Sequence, residues 1–180
     1  RIAGIRKAEE RINTALGTAR DRIVAAVEQA IARGEARLDD VFDDRYEQIP
    51  GTDPAQYQTA GLPLFQRLFP GPLNDVLGVD ADVIFCVATD VNGWLPVHNP
   101  KYSQPQGSDP VWNAANCRNR RIFEDRTAVA AARNTLQQVF VQTYEREMGG
   151  GVKVLMKDVS TPIRIENRHW GALRIGLRFE

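Results

Sequence analysis

Val83-Ile84-Phe85-Cys86-Val87-Ala88-Thr89-Asp90-Val91-Asn92-Gly93-Trp94-Leu95-Pro96-Val97-His98 is the stretch on which the fold turns. Ala81 to Thr89 is rich in apolar and β-forming residues, and Asn92-Gly93 is the dipeptide that favours a tight hairpin. Trp94 to His98 is therefore expected to return as a second strand. Beyond it lies a polar, proline-containing loop, Asn99 to Pro110. A helix is expected over Trp112–Phe123, with Asp109 or Asn113 near its start, and a short helix or loop over Thr127–Asn134. The period then returns to two. Gln138–Arg146 reads as a third strand, with Val139, Val141 and Thr143 on one face and Phe140, Gln142 and Tyr144 on the other. Val152–Ile165 reads as a fourth, interrupted at Ser160-Thr161-Pro162, and Trp170–Phe179 as a fifth. Gly149-Gly150-Gly151 and Glu166–His169 are the turns between them.

Upstream, the pattern is helical. Ile2, Ile5, Ile12, Leu16, Ala19, Ile23, Ala26 and Ala30 recur at alternating spacings of three and four, with Glu9 in the one interrupted slot. That is a heptad seam, and a parallel line through Val24, Val27, Ile31, Gly34 and Leu38 takes over from it. The seam predicts one long helix from Ile2 to about Leu38, roughly 55 Å at 1.5 Å per residue. It has two uses: pairing with a second subunit, or lying on the chain's own sheet. After the acidic run Asp39, Asp40, Asp43 and Asp44, the Ile49–Pro54 segment breaks the pattern. Thr52 or Asp53 is expected to cap a helix with Pro54 at its first position. Ala55–Phe69 is expected to be helical with a break at Gly61-Leu62-Pro63, stopped by Pro70-Gly71-Pro72, with a further turn over Leu73–Leu77.

The 180 residues suffice for one domain with a substantial core. Lys plus Arg and Asp plus Glu number 23 each, and this zero balance points away from nucleic acid as a partner. No apolar run reaches the roughly 20 residues that span a bilayer. The start at Arg1 directly in a helical pattern suggests a piece cut from a longer protein. Cys86 lies within an apolar strand. Cys117 has neither a second Cys at metal-site spacing nor a following His, so structural zinc and covalent haem are both unexpected, and no cofactor is expected. No phosphate loop, nucleophile elbow or metal-binding His pair is present, so the chemistry points to binding and not to an enzyme.

Helices first, then a hairpin, a loop-and-helix insertion and three antiparallel strands make an α+β fold. This is the PAS-like plan of a five-stranded antiparallel sheet, and a long N-terminal helix in front of it is the Cache variant. Residues 1–40 read as the N-terminal signalling and dimerisation helix and residues 41–180 as the sensing domain. The blocks Phe42–Thr52, Asp90–Asn99, Asn119–Thr127, Gln142–Gly151 and Arg168–Arg174 resemble the periplasmic sensor region of a group of bacterial methyl-accepting chemotaxis proteins. The similarity runs from about residue 40 to the end. It implies a periplasmic ligand sensor between two transmembrane helices of an inner-membrane receptor. It also implies a homodimer that signals through a cytoplasmic HAMP and kinase-control region. Some relatives in the broader group hold a covalent c-type haem, a pattern from which Cys117-Arg118-Asn119-Arg120-Arg121 departs.

The candidate ligand-binding residues are Trp94, His98, Tyr102, Arg118, Arg121, Arg126 and Tyr144. Arg118, Arg120, Arg121 and Arg126 form the densest positive cluster, and on a helix Arg118 and Arg121 share a face. They read either as a fork for an anion or as ion pairs with Glu124 and Asp125. Trp94, Tyr102 and Trp112 are either platforms for a planar ligand or core. His98 is either a donor to a ligand or a hydrogen-bonded structural residue, and His169 reads as structural. The leading expectation is a small polar or anionic ligand bound between the sheet and its loop-helix cover. The alternatives are a redox or gas sensor with non-covalent haem or flavin on His98, and a module that senses a partner protein.

Overall fold

The computed structural model describes residues 2–147 and 151–178. Helix α1 spans Ile2–Ala32. It stops short of Leu38 because Gly34 takes a left-handed φ of +73°. The Gly34 amide donates to the Ile31 carbonyl at 3.0 Å and the Glu35 amide to Ala30 at 2.9 Å. These are the paired bonds of a glycine-terminated helix, so Gly34 is the cap and not a seam position. The seam residues Ile12, Leu16, Ala19, Ile23 and Ala30, with Val27 of the parallel line, are buried within the chain itself, and Ala26 is half-buried. Ile2 and Ile5 stay exposed.

A short α2 (Leu38–Val41) leads to a two-residue hairpin of β1 (Glu47–Gln48) and β2 (Tyr57–Gln58). The helix expected from Pro54 does not form. Thr52 Oγ1 donates to the Ile49 carbonyl and accepts from the Gln56 amide, which closes a loop instead. Helices α3 (Leu62–Leu68) and α4 (Pro70–Val76) follow without a stop. Pro70 and Pro72 lie in the first turn of α4, where a missing N–H removes no helical bond, so they start this helix.

The main sheet is antiparallel and holds β3 (Val83–Asp90), β4 (Phe140–Glu147), β5 (Lys153–Ile165) and β6 (Arg168–Arg178) in the order β3-β6-β5-β4. It has four strands and not five. The expected second strand, Trp94 to His98, makes only the isolated bridge Trp94–Ile122. The Asp90 amide donates to the Trp94 carbonyl at 3.0 Å. Leu95 donates to the Arg121 carbonyl, Arg120 to Leu95 and Phe123 to Gly93, so beyond Trp94 the segment pairs with 120–123 and not with β3. Beside β3, the Asn99 side chain takes the place of a strand. It accepts from the Cys86 amide at 2.9 Å and donates to the Cys86 carbonyl at 3.0 Å. β5 runs unbroken through Pro162, which lies past the point where β4 pairing begins at Phe140–Ser160, so no β4 neighbour needs its N–H. The β5–β6 turn has positive φ at both Glu166 and Asn167, as a two-residue hairpin requires. The Gly149-Gly150 part of the expected turn lies outside the described residues.

Pleating divides the sheet into two faces. Cys86, Ala88, Val159, Ile163, Leu173 and Ile175 join α1, α3 and α4 in one core, where Phe65 stacks on Phe69 and meets Trp94 and Trp170 edge to face. The opposite face carries Phe85, Val87, Asp158, Arg174 and Tyr144. It is covered by the 91–125 segment and by α6 (Arg126–Arg133), whose buried Ala128, Ala131 and Ala132 let the helix sit close.

Candidate functional site

The cover is built by two side chains that bond to backbone. Asp90, at the end of β3, accepts from the amides of Asn92 and Trp94, both at 2.9 Å, and from the Tyr46 hydroxyl. These bonds fold the chain back at Gly93, whose φ is +86°. A Cβ there would lie 2.1 Å from the Phe123 carbonyl oxygen, so only glycine fits. Burial pushes the Asp90 carboxyl above its usual range despite these donors. Further on, Asn99 locks to Cys86 and also donates to Asn74 at 3.0 Å. The expected Trp112–Phe123 helix is only Pro110–Asn116 (α5), capped by Asp109, whose carboxylate accepts from Val111. Residues 117–123 are not helical, with a turn at Asn119-Arg120 where Arg120 has a φ of +63°, so Arg118 and Arg121 share no helix face. Both still donate to the Ala114 carbonyl, at 3.3 and 3.2 Å, and both lie over the Phe123 ring, at 4.7 and 4.6 Å from its centroid.

Between this cover and the sheet lies a cavity of about 320 Å³. That falls near the small end of the roughly 300–1,000 Å³ of ligand sites. Phe85, Val87, Leu95 and Phe123 make an apolar wall. Phe85 has room because Gly176 is its register partner, where a Cβ would meet the ring at 2.2 Å. The polar part consists of His98, Arg118, Tyr144, Arg146 and Arg174, together with the exposed acidic residues Asp125, Glu145 and Glu147.

The charges are unevenly matched. Arg174 is buried and binds Asp158 through Nε at 2.9 Å and Nη2 at 2.8 Å. Burial works against its charge, but Asp158 outweighs that and keeps the guanidinium above its usual value. Among the described residues, Arg118 and Arg146 have no carboxylate partner within salt-bridge distance. Burial, followed by the Arg146 and Arg121 charges, pushes Arg118 down to about 10. Arg146 lies over the Tyr102 ring at 5.3 Å. His98 packs against Phe85 and Tyr102. Its Nδ1 accepts the Asn99 amide at 2.8 Å, which places the proton of the neutral ring on Nε2. Burial and then the charges of Arg118, Arg146 and Arg174 hold it well below its ordinary pKa. The ring is thus a neutral N–H donor. Burial, with Asp158 adding, raises the Tyr144 hydroxyl, which also stays protonated.

Of the seven residues singled out from sequence, His98, Arg118 and Tyr144 line this cavity, and Tyr102 backs His98 and Arg146. Arg121 stands behind Phe123. Trp94 is elsewhere: it is core, with its indole N–H on the Tyr57 carbonyl. Arg126 is exposed at the start of α6. Arg146 and Arg174 were not singled out, although strand alternation carries a signal for both. Arg146 follows Tyr144 at the two-residue spacing, and Arg174 is the one charge within Trp170–Leu177. Compared with family models, curated proteins and solved structures, the chain matches none.

Proposed function

We propose that this domain is the extracytoplasmic ligand sensor of a bacterial methyl-accepting chemotaxis receptor, built on a PAS/Cache-like plan, and that it binds a small anion in the cavity over the sheet. The observation that carries the anion is the pair Arg118 and Arg146, two guanidiniums facing a half-enclosed space with no carboxylate bound to either among the described residues. A guanidinium desolvated without a partner is costly, and an anionic ligand relieves that cost. The fold supports the plan through its element order: a strand, a return segment with helices, then three antiparallel strands. The second strand is reduced to a single bridge.

In this reading, ligand draws the 95–125 cover onto the sheet and biases two arrangements of the domain, which its affinity for one over the other must drive. The signal passes to the parent receptor's membrane helices and its HAMP region, in a homodimer. Since the middle of the α1 seam is used internally, Ile2 and Ile5 are the seam positions left for a second copy. A receptor of this kind sits in the inner membrane with this domain in the periplasm; among the described residues no helix is long and apolar enough to cross a membrane.

Thermal shift against acids, amino acids and purines tests the reading. A binder at about 100 times its Kd stabilises by roughly 2.7 kcal/mol, or about 5–10 °C for a domain of this size. Arg118→Ala should abolish that shift and the chemotactic response of the receptor. A panel with no binder would sink the proposal. The haem reading fits the geometry less well, because an imidazole ligates iron through a bare nitrogen while its other N–H donates. Here Nδ1 is already an acceptor and Nε2 bears the proton. Haem uptake visible in the absorbance spectrum would reverse that judgement.

A further inference from the structure

Resting on the anion-site reading above, we infer that the cavity selects a small monocarboxylate with a compact apolar body, over dicarboxylates and over amino acids. The carboxylate sits where Arg118 and Arg146 converge, the His98 Nε2–H donates to it, and the apolar body lies against Phe85, Val87, Leu95 and Phe123.

The selection follows from where charge is already spent. Arg174 is neutralised by Asp158 at 2.8 Å and offers no second anion-binding pole. Arg118 and Arg146 line the same cavity, and the Arg146 charge is the one that acts most strongly on Arg118, so the two serve one carboxylate and not two. A second carboxylate on the ligand would have to desolvate against the apolar wall, which is expensive without a partner. An ammonium would fare no better. The Asp125 carboxylate is exposed and accepts from the Ala128 amide at the start of α6. Glu145 alternates to the outer face of β4, where it pairs with Lys153 at 3.8 Å, and Glu147 shares that face. These three acidic residues line the cavity but are exposed, and none lies within salt-bridge distance of Arg118 or Arg146. A cation held between those two arginines would therefore meet guanidiniums and a neutral imidazole. The small volume limits the apolar part to a short chain or one compact ring.

The test is calorimetric titration of the whole domain with propionate, isobutyrate and benzoate, against succinate and malate and against alanine and valine. At least one monocarboxylate should bind about tenfold or more tightly than every dicarboxylate and amino acid in the set. Arg118→Lys and Arg146→Gln should each weaken it about tenfold or more. Arg146 is half-buried on an edge strand, so Arg146→Gln keeps the test open if Arg118 substitutions fail to fold. A dicarboxylate or amino acid that binds tightest, with the same dependence on both arginines, overturns the selection and leaves the anion site standing. No binding in the panel, or binding that ignores both substitutions, overturns the selection and the site together.

Discussion

Replacing Asn99 by alanine should be among the most damaging single changes outside the aliphatic core. Asn99 is 1% exposed and its amide makes three hydrogen bonds, two to Cys86 and one to Asn74. Alanine leaves the Cys86 N–H and C=O unpaired on the side of β3 that faces away from β6. Each such buried group costs about 1–3 kcal/mol, and partial access of water lowers the sum, so a loss of roughly 2–4 kcal/mol is expected. For a domain of this length that corresponds to about 4–15 °C in melting temperature. Urea titration followed by circular dichroism measures it, with the midpoint falling and the slope unchanged. Asn99→Asp sharpens the test. The acid keeps an acceptor for Cys86 N–H but sets a carboxylate oxygen against the Cys86 carbonyl. Burial raises its pKa above the unfolded value, so this variant should regain stability as pH falls through the carboxyl range, when the protonated acid can donate. A loss under about 1 kcal/mol for Asn99→Ala, or an Asn99→Asp protein indifferent to pH, would refute the idea that this side chain substitutes for a strand.

Gly93→Ala should cost about 2 kcal/mol or more, since it combines a φ of +86° with a Cβ 2.1 Å from the Phe123 oxygen; thermal melting reads it. Asp158→Ala should cost about 3–5 kcal/mol by leaving Arg174 buried and unpaired, while the double change Asp158→Leu with Arg174→Met should restore much of that loss in the same denaturation assay. His98 is held neutral, its folded pKa lying below the unfolded value of about 6.5. Its contribution is therefore present above pH 6.5 and is lost as pH falls below it, by up to about 1.4 kcal/mol per pH unit. His98→Asn should flatten the stability profile below pH 6.5, and an unchanged slope would show that another group titrates.

The strands β3 to β6 were legible because alternation and turn residues agree locally. α1 was legible in its start and its seam, but not in its end, because Gly34 fits both a small seam position and a cap. The return strand at Trp94 was misread for a reason outside the segment: its partner is 120–123, and its place beside β3 is taken by the side chain of Asn99. The seam period does not say what covers it, and the chain's own sheet does. Of the cavity lining, His98, Arg118 and Tyr144 stood out in the sequence by residue type alone. Arg146 and Arg174 needed the sheet register to bring them beside His98, and Trp94 was lost to the core because its aromatic surface pairs with Phe65 and Tyr46.

The way α1 is fastened gives it leverage. From Ile12 to Ala30 it is packed on the sheet and on α3 and α4, while the stretch back to Ile2 runs about 15 Å beyond that packing, tied by the surface pairs Arg11–Asp80 at 3.1 Å and Glu9–Lys157 at 3.9 Å. Under that arm, between Ile5, Ala8 and Ile12 on one side and Val141, Lys157 and Leu177 on the other, lies a groove of about 580 Å³. A tilt of only about 5° at Ile12 carries the tip at Ile2 by about 1 Å, and the groove gives it space to swing. A change in sheet twist too small to see at the cavity is thereby enlarged at the far end of the helix.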